Sequence, residues 1–261
     1  MEYIFDTHAH YDDDAFDEDR EQLLAELPGQ GIARVVNVGA SLNSCRKTLE
    51  LMEQYDFIYG ALGVHPSETA ELDEEHFAWL RQQCLHEKCV AVGEIGLDYY
   101  WPEPEAGIQK KWFLRQMELA REIGKPMVIH SREAAKDTLD MMQAQKAGEI
   151  GGVIHCYSYS RETARDYLNM DFYIGIGGVV TFQNGRKLKE VVEYVPLDKI
   201  VLETDCPYLA PVPYRGKRNS SLYLPHVVDM IAQLKDVSPE QVRRQTWENA
   251  HALYRLPLDK I

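Results

Sequence analysis

Eight short apolar runs, separated by longer amphipathic stretches, constrain the fold of this chain more than any other feature. The runs are rich in Val and Ile and mostly do not alternate with polar residues, as expected for strands that are buried on both faces. The stretches between them space their apolar residues by three and four, which is typical of helices with one buried side. The predicted strands cover residues 3–6, 34–38, 58–64, 90–95, 126–129, 152–154, 172–177 and 200–203.

This alternation predicts an α/β fold of the (β/α)8 TIM-barrel type. The chain has 261 residues, a common length for one such barrel, and no linker interrupts it, so we expect residues 1–261 to form a single domain. A helical stretch at about residues 222–234 and a C-terminal helical tail from Ser238 follow the last strand. The alternative is an open, doubly wound sheet, which would normally carry a glycine-rich phosphate-binding turn after its first strand. His8 and His10 occupy that position here.

Charge and cysteine content limit the function classes. The net charge of −14 argues against a broad electrostatic grip on nucleic acid, so a polyanionic substrate would have to be held by metal ions and a few basic groups. The five cysteines are odd in number and form no Cys-x-x-Cys pair, which favours a reduced, cytoplasmic protein. No apolar run approaches the ~20 residues of a membrane-spanning helix, and no basic residue precedes Arg20 as in a secretory signal. We therefore expect no membrane association, and nothing in the sequence indicates an obligate protein partner.

Histidines and carboxylates recur where the predicted strands end. In a barrel these ends share one face, and that face carries the chemistry. Of the nine histidines, five lie at strand ends and four in helical stretches. Each of these residues alone would more often be a surface, packing or capping residue, but several buried carboxylates together need a counter-charge, which divalent cations supply. The residues on this face are His8, His10, His65, Glu94, His130, His155 and Asp205.

The number of candidate ligands favours two divalent ions per chain. His8 and His10 are two residues apart, so an extended chain directs both imidazoles to one side. We expect this pair and Asp205 to hold one ion, a second histidine pair to hold the other, and Glu94 to give one oxygen to each. The second pair is His130 and His155. Zn, Mn and Mg are the candidate ions, and mixed imidazole and carboxylate ligands suit zinc or manganese better than magnesium.

Two cysteines directly follow predicted ligands. Cys156 follows His155, and Cys206 follows Asp205. Because side chains alternate along a strand, we expect both thiols to point away from the metals and to act as packing residues. His65 is either a ligand or, as the favoured interpretation, a contact to the substrate.

Six segments resemble the TatD family of metal-dependent deoxyribonucleases, which belongs to the amidohydrolase superfamily. They are DTHAH (6–10), GVHP (63–66), GEIGLDYY (93–100), HSREA (130–134), HCYS (155–158) and LETDCPYL (202–209). The resemblance covers nearly the whole chain in the family's order. It implies a two-metal site built from the six ligands named above, and hydrolysis of phosphodiester bonds, commonly from the 3′ end of DNA. DNA or RNA 3′ ends are therefore the expected substrates.

The resemblance also implies roles for single residues. Asp205 would orient or deprotonate the attacking water, with Glu94 as the second catalytic carboxylate, and His65 would contact the scissile phosphate. The chain departs from the family at Ser220 and Ser221, where the family usually has Glu-Pro. That departure bears on the geometry of the loop and on substrate preference, and it leaves the metal ligands untouched.

Basic and aromatic residues near the strand ends are candidates for binding the substrate. Guanidinium and ammonium groups hold phosphate through charge-assisted hydrogen bonds, although a solvated charged turn is the alternative for the loop after Asp205. Aromatic residues after the fourth strand could stack on bases or pack over the barrel mouth. The basic candidates are Arg132, Arg215, Lys217 and Arg218, and the aromatic ones are Tyr99, Tyr100 and Trp101.

Two other classes of function are compatible with the same scaffold. One is a different hydrolase, such as an aminoacyl-tRNA deacylase, an amidase or a lactonase. Many binuclear enzymes of those kinds bridge their metals through a modified lysine, whereas the end of the fourth strand here carries Glu94, which favours the nuclease. The other class is a metal-dependent binding protein without turnover. A degraded site would be typical of it, and here every ligand position is filled.

Overall fold

The fold was analysed in a computed structural model that describes residues 3–258. Eight parallel strands follow one another around a barrel in chain order, each hydrogen-bonded to the next, which confirms the predicted (β/α)8 architecture. Strand pairing of this kind buries both faces of the sheet, because helices cover the outside and side chains fill the inside. The strands are β1 (Ile4–Ala9), β2 (Ile32–Val38), β3 (Ile58–Leu62), β4 (Cys89–Asp98), β5 (Met127–Arg132), β6 (Gly152–Ile154), β7 (Tyr173–Ile176) and β8 (Ile200–Leu202).

A helix follows each strand, and one more closes the described chain. Side-chain caps start several of them: Ser41, Asp73 and Ser160 each accept a hydrogen bond from a backbone N–H in the first turn. None of the helices in residues 3–258 is long and apolar enough to cross a membrane. The helices are α1 (Arg20–Glu26), α2 (Leu42–Gln54), α3 (Glu74–Gln83), α4 (Ala106–Ile123), α5 (Ala135–Ala144), α6 (Arg161–Leu168), α7 (Arg186–Tyr194), α8 (Leu224–Lys235) and α9 (Pro239–Tyr254).

Three strands run further than the apolar pattern indicated. β1, β4 and β5 extend past their predicted ends by three residues each, to Ala9, Asp98 and Arg132. The added residues are largely polar, so hydrophobicity alone does not reveal them, although the backbone ladder continues through them. His8 and His130 therefore lie on strands, and Glu94 lies on β4 within the predicted strand, so strand pairing fixes the positions of all three.

The barrel closes where β1 meets β8, through backbone and side-chain hydrogen bonds near the site. Ala9 and Cys206 form a parallel bridge, and the N–H of Asp205 donates to the carbonyl of His8 at 2.9 Å. Beneath this bridge the buried carboxylate of Asp6 accepts hydrogen bonds from the hydroxyl of Thr204 at 2.7 Å and from the hydroxyl of Ser221 at 2.6 Å. This contact region between β1 and the end of β8, called the seam below, joins residues that lie about 200 positions apart in the chain.

The lower half of the barrel interior is apolar and is capped by α9. Val128, Val153 and Val201 precede the inward-facing site residues of their strands by two positions, so they share the same face. They form one buried cluster with Leu253 and Tyr254 of α9. The helical tail is therefore the floor of the barrel, at the end opposite the strand ends that carry the histidines.

Removal of side-chain volume from this floor should destabilise the whole fold. We expect Leu253→Ala to lower the free energy of unfolding by about 2–5 kcal/mol, because a buried leucine leaves a cavity. Urea denaturation would measure it, with Glu248→Ala on the exposed side of α9 as the control, where the expected change stays within about 0.5 kcal/mol. Equal stability of the two variants would show that α9 does not close the barrel.

Candidate metal centre

The strand ends bring the predicted ligands together around the Glu94 carboxylate. Its Oε2 atom lies 3.5 Å from Nε2 of His8 and 3.9 Å from Nε2 of His10. Its Oε1 atom lies 2.7 Å from Nδ1 of His130 and 3.6 Å from Nε2 of His155. Each oxygen of Glu94 therefore faces one histidine pair, which is the arrangement that a carboxylate shared by two ions requires.

Asp205 stands on the opposite side of the same group. Its Oδ1 atom is 3.3 Å from Nε2 of His10, 3.6 Å from that of His155 and 3.8 Å from that of His8. The residue follows β8 with a φ of 56°, a left-handed conformation in which the chain turns away from the strand direction. Asp205 is thereby within reach of both histidine pairs.

The spacing and chemistry of these atoms fit divalent cations. Nitrogen ligands lie ~2.0–2.1 Å from a zinc ion, which in a tetrahedral site places them roughly 3.3–3.5 Å from one another. Nε2 of His8 and Nε2 of His10 are 3.0 Å apart, and Nδ1 of His8 is buried without a hydrogen-bond partner among residues 3–258. Two ring nitrogens that face each other can share one proton at most, whereas a cation accepts both lone pairs.

Three of the imidazoles are oriented by hydrogen bonds to groups that are not themselves predicted ligands. Nδ1 of His10 lies 2.8 Å from the carbonyl of Val38 and must donate to it, so Nε2 carries the lone pair whenever the ring is neutral. A similar contact joins His130 to Asp98, between Nε2 and Oδ2 at 3.1 Å. Such partners set the tautomer of a metal-binding histidine and increase its basicity. The ring nitrogen that faces the site is then available to an ion.

Glu203 supplies the third of these outer contacts, and the sequence analysis did not single it out. Its Oε2 atom is 3.1 Å from Nδ1 of His155, and its Oε1 atom accepts the N–H of Cys156 at 2.6 Å. Gly175 on β7 leaves space for this carboxylate, since a Cβ there would lie 2.3 Å from Oε2. The sequence signal was a second carboxylate two residues before Asp205, but its partner, Nδ1 of His155, is visible only in the folded chain.

The electrostatics of the site favour bound positive charge. Burial alone would raise the pKa of Glu94, but the neighbouring His155, His130 and His8 outweigh it and hold that pKa well below its usual range. Burial likewise opposes the charged form of His10, yet the carboxylates of Asp205 and Glu94 raise its pKa to about 9. The site thus retains ionised carboxylates in a buried setting, where cations are their natural partners.

His65 lies beside the predicted metal ligands. Burial and the adjacent His130 lower the pKa of His65 to about 3, so its imidazole is neutral. Nδ1 accepts the backbone N–H of Ser67 at 3.1 Å, which places the proton on Nε2. That nitrogen is 4.0 Å from Oε1 of Glu94 and can donate to a group bound next to the ions.

Comparison with known proteins adds to this geometry. A family model described as "TatD related DNase" matches residues 5–255. The chain belongs to the TatD family. It is a metal-dependent hydrolase of that family, and the resemblance noted from the six motifs is confirmed.

Relatives of this TatD-family chain span its full length. The uncharacterized metal-dependent hydrolase YabD of Bacillus subtilis is 42% identical over 97% of this chain and 99% of the relative. A Cronobacter sakazakii protein named 3′-5′ ssDNA/RNA exonuclease TatD is 30% identical over 96% of this chain and 97% of its own length. Among solved structures, the TatD homologue YJJV of Escherichia coli has a TM-score of 0.91 at 26% identity, covering 97% of this chain and 98% of that one.

Cys156 of the TatD-family chain lies where the sequence analysis did not expect it. β6 ends at Ile154, and Cys156 has a φ of 46°, so the alternation of a strand no longer applies at that position. Cys156 is one of the residues that line the site cavity and is only partly buried, so the expectation of a packing residue was wrong. Cys206, in contrast, is fully buried.

The ligands open into a cavity of about 830 Å³, and Arg132 stands at its edge. The guanidinium of Arg132 lies 3.7 Å above the ring of Tyr100, and the ring of Trp101 meets Tyr100 edge-on at 4.8 Å. Both rings are about half exposed. Tyr99 differs, because its hydroxyl donates to Asp137 and it packs against the core.

The loop after β8 carries three basic residues, Arg215, Lys217 and Arg218. Within the described residues 3–258, none of the three is part of the cavity wall. Arg218 pairs with Asp19 through two hydrogen bonds of 2.7 and 2.6 Å. Arg215 lies 4.3 Å from the ring centre of Phe182, and Lys217 lies 6.0 Å from that of Tyr214. Their contact with a substrate stays a prediction.

Loss of the Glu203 charge should weaken metal binding without unfolding the protein. Since Glu203 orients His155, we expect Glu203→Gln to reduce zinc affinity ~10–100-fold. Competition with a chromogenic chelator, starting from chelator-stripped protein, would measure it. Glu133→Gln, a change of an exposed carboxylate on the same face, is the matched control. Unchanged affinity in Glu203→Gln would mean that His155 needs no orienting partner.

Proposed function

We propose that the chain is a 3′–5′ exodeoxyribonuclease that hydrolyses phosphodiester bonds with water activated at two divalent ions. The observation that carries this is the Glu94 carboxylate, whose two oxygens each face a separate histidine pair. Two-ion centres built around a shared carboxylate suit in-line displacement at phosphorus, because one ion assists the attacking oxygen and the other the leaving oxygen. The relative named as a 3′-5′ ssDNA/RNA exonuclease supports the same substrate class.

The residues around the site have distinct tasks in this reaction. Bound divalent ions lower the pKa of water and polarise the phosphoryl oxygen. Asp205 orients the attacking water and accepts its proton. His65 donates its Nε2 proton in a hydrogen bond to a non-bridging oxygen of the phosphate. The water oxygen forms a bond to phosphorus while the bond between phosphorus and the 3′ oxygen of the preceding nucleotide breaks. That 3′ oxygen takes a proton from solvent, and the terminal nucleotide is released as a 5′-monophosphate.

The surroundings of the site support a nucleic-acid substrate. Arg132 lies at the cavity edge with its cation exposed, where it can pair with a phosphate. The exposed rings of Tyr100 and Trp101 offer a face for a base, and stacking of this kind is sequence-tolerant. In this proposal residues 1–261 form one catalytic unit that acts in the cytoplasm without a protein partner, and the free cysteines agree with a reducing compartment.

Metal stoichiometry is the first test. We expect reconstituted, active protein to contain two divalent ions per chain, and we expect removal of the ions by a chelator to abolish hydrolysis. Glu94→Gln should lose at least one ion, because the amide cannot bridge two cations. Metal analysis by mass spectrometry would decide, and a single ion in fully active protein would contradict the bridging role.

Asp205→Asn separates proton transfer from metal binding. The remaining ligands should keep most of the metal, while the rate falls ~10²–10⁴-fold through loss of the general base. Nucleotide release from a 3′-labelled single strand is the measurement, at equal metal content. Asp56→Asn, on the far side of the barrel, is the control. Activity of Asp205→Asn within a few-fold of the wild type would remove Asp205 from the mechanism.

A substrate panel distinguishes the nuclease from other hydrolases on the same scaffold. Labelled oligonucleotides should be shortened from the 3′ end, whereas aminoacyl-tRNA, amides and lactones should be poor substrates. The panel would be run with Mg²⁺, Mn²⁺ and Zn²⁺ in turn. Faster turnover of a lactone or an aminoacyl ester than of any oligonucleotide would assign the chain to the other branch.

A further inference from the structure

The rim of the barrel is divided into an acidic half and a basic half. The segments that follow β1, β3 and β4 (residues 10–19, 63–73 and 99–105) carry six, three and two acidic residues, and no Lys or Arg. Because the strands follow one another in chain order, these segments lie on one side of the mouth. Asp14, Asp17 and Asp19 are paired with Lys47, Arg20 and Arg218, and the other carboxylates of these segments leave a net negative surface that repels a polyanion.

The other side of the mouth has the opposite composition. The segments after β6 and β7 (residues 155–160 and 177–185) contain no acidic residue, and the helices that follow them begin with Arg161, which pairs with Glu162, and with Arg186-Lys187. Glu133, directly after β5, is an exposed acidic residue on this side. The loop at residues 206–220 also has no acidic residue and carries three basic ones. This half therefore offers cations to phosphate groups.

The charged residues of the cavity wall show the same division into an acidic side and a basic side. Apart from the predicted ligands and Asp98, which bonds to His130, its carboxylates are Asp12, Asp13 and Glu68, from the segments after β1 and β3. Arg132 at the end of β5 is the one Lys or Arg on this wall in the part of the chain described. The charge gradient thus runs across the metal centre itself.

Several cations of the basic half are free to bind phosphate. Among residues 3–258, Lys187, Arg215 and Lys217 are exposed and form no ion pair. Arg186 pairs with Glu190 on the same exposed helix turn, and pairs of this kind contribute little. Arg218 is different, since Asp19 already holds it across the seam.

On the basis of the nuclease function proposed above, we infer that a single strand crosses the rim over β5–β8 alone. An internal phosphodiester bond could reach the ions only if the strand continued past them over the acidic half, where phosphates meet like charge. The terminal phosphodiester bond can reach the ions without any part of the strand lying over the acidic half. The terminal base would rest near Tyr100 and Trp101, which follow β4 at the boundary between the halves. The acidic half is then the element that restricts cleavage to chain ends.

Oligonucleotide binding tests the proposed path of the single strand, and it can be measured whether or not the protein hydrolyses a phosphodiester bond. Lys187→Gln, Arg215→Gln and Lys217→Gln should each weaken binding of a short oligothymidylate about 3- to 5-fold at physiological salt, and each lost contact should flatten the slope of log affinity against log salt by ~0.7. Arg244→Gln is the control, because Arg244 is exposed on α9 at the opposite end of the barrel. Fluorescence anisotropy over a salt series is the readout. Variants that bind like Arg244→Gln would overturn the path.

Closed circular single-stranded DNA tests the acidic half. The wild type should shorten linear strands and leave circles intact, whereas Glu68→Lys combined with Glu103→Lys should nick circles. Nicking of circles by the wild type at the linear rate would overturn the inference, and so would intact circles with the charge-reversed protein. Failure of the nuclease function itself gives a different result, in which neither linear strands nor bis(4-nitrophenyl) phosphate are hydrolysed.

Discussion

The buried carboxylate of Asp6 is the interaction on which the rest of the site depends. It accepts hydrogen bonds from Thr204 and Ser221 and from the backbone of His8, so it holds the first strand against the last. Asp6 is fully buried, and this burial raises its pKa to about 7 in spite of these bonds. Because His8 lies on β1, His10 directly follows it and Asp205 follows β8, the contacts that close the barrel also bring these predicted ligands together.

The order of elements was readable from the sequence, while the strand ends were not. Val- and Ile-rich runs mark strands that are buried on both faces, and eight of them sufficed to predict the barrel. Their ends are polar at the site, so an apolar pattern stops short of Asp98 and Arg132. Alternation also fails wherever the backbone becomes left-handed, and for this reason the position of Cys156 was predicted wrongly.

The types of residue in the site were predictable, and their mutual contacts were not. Histidines and carboxylates at strand ends indicated a metal centre, because few other functions bring such groups together. Glu203 and His155 follow two different strands. The hydrogen bond between them therefore cannot be predicted from the spacing of residues along the sequence. Ser221 is a similar case. It stands where the family usually has proline, and its N–H donates to the hydroxyl of Tyr11 while its own hydroxyl donates to Asp6, two bonds that a proline could not provide.

The seam also has a consequence for the synthesis of the protein. His8 and His10 leave the ribosome well before their partner Asp205 and the floor helix α9, which follow roughly two hundred residues later. A nascent chain that stops before β8 has neither the last carboxylate nor a closed barrel to hold the first two histidines in place. Chains that stop before β8 therefore cannot assemble the hydrolytic centre, and hydrolysis begins only after α9 has folded.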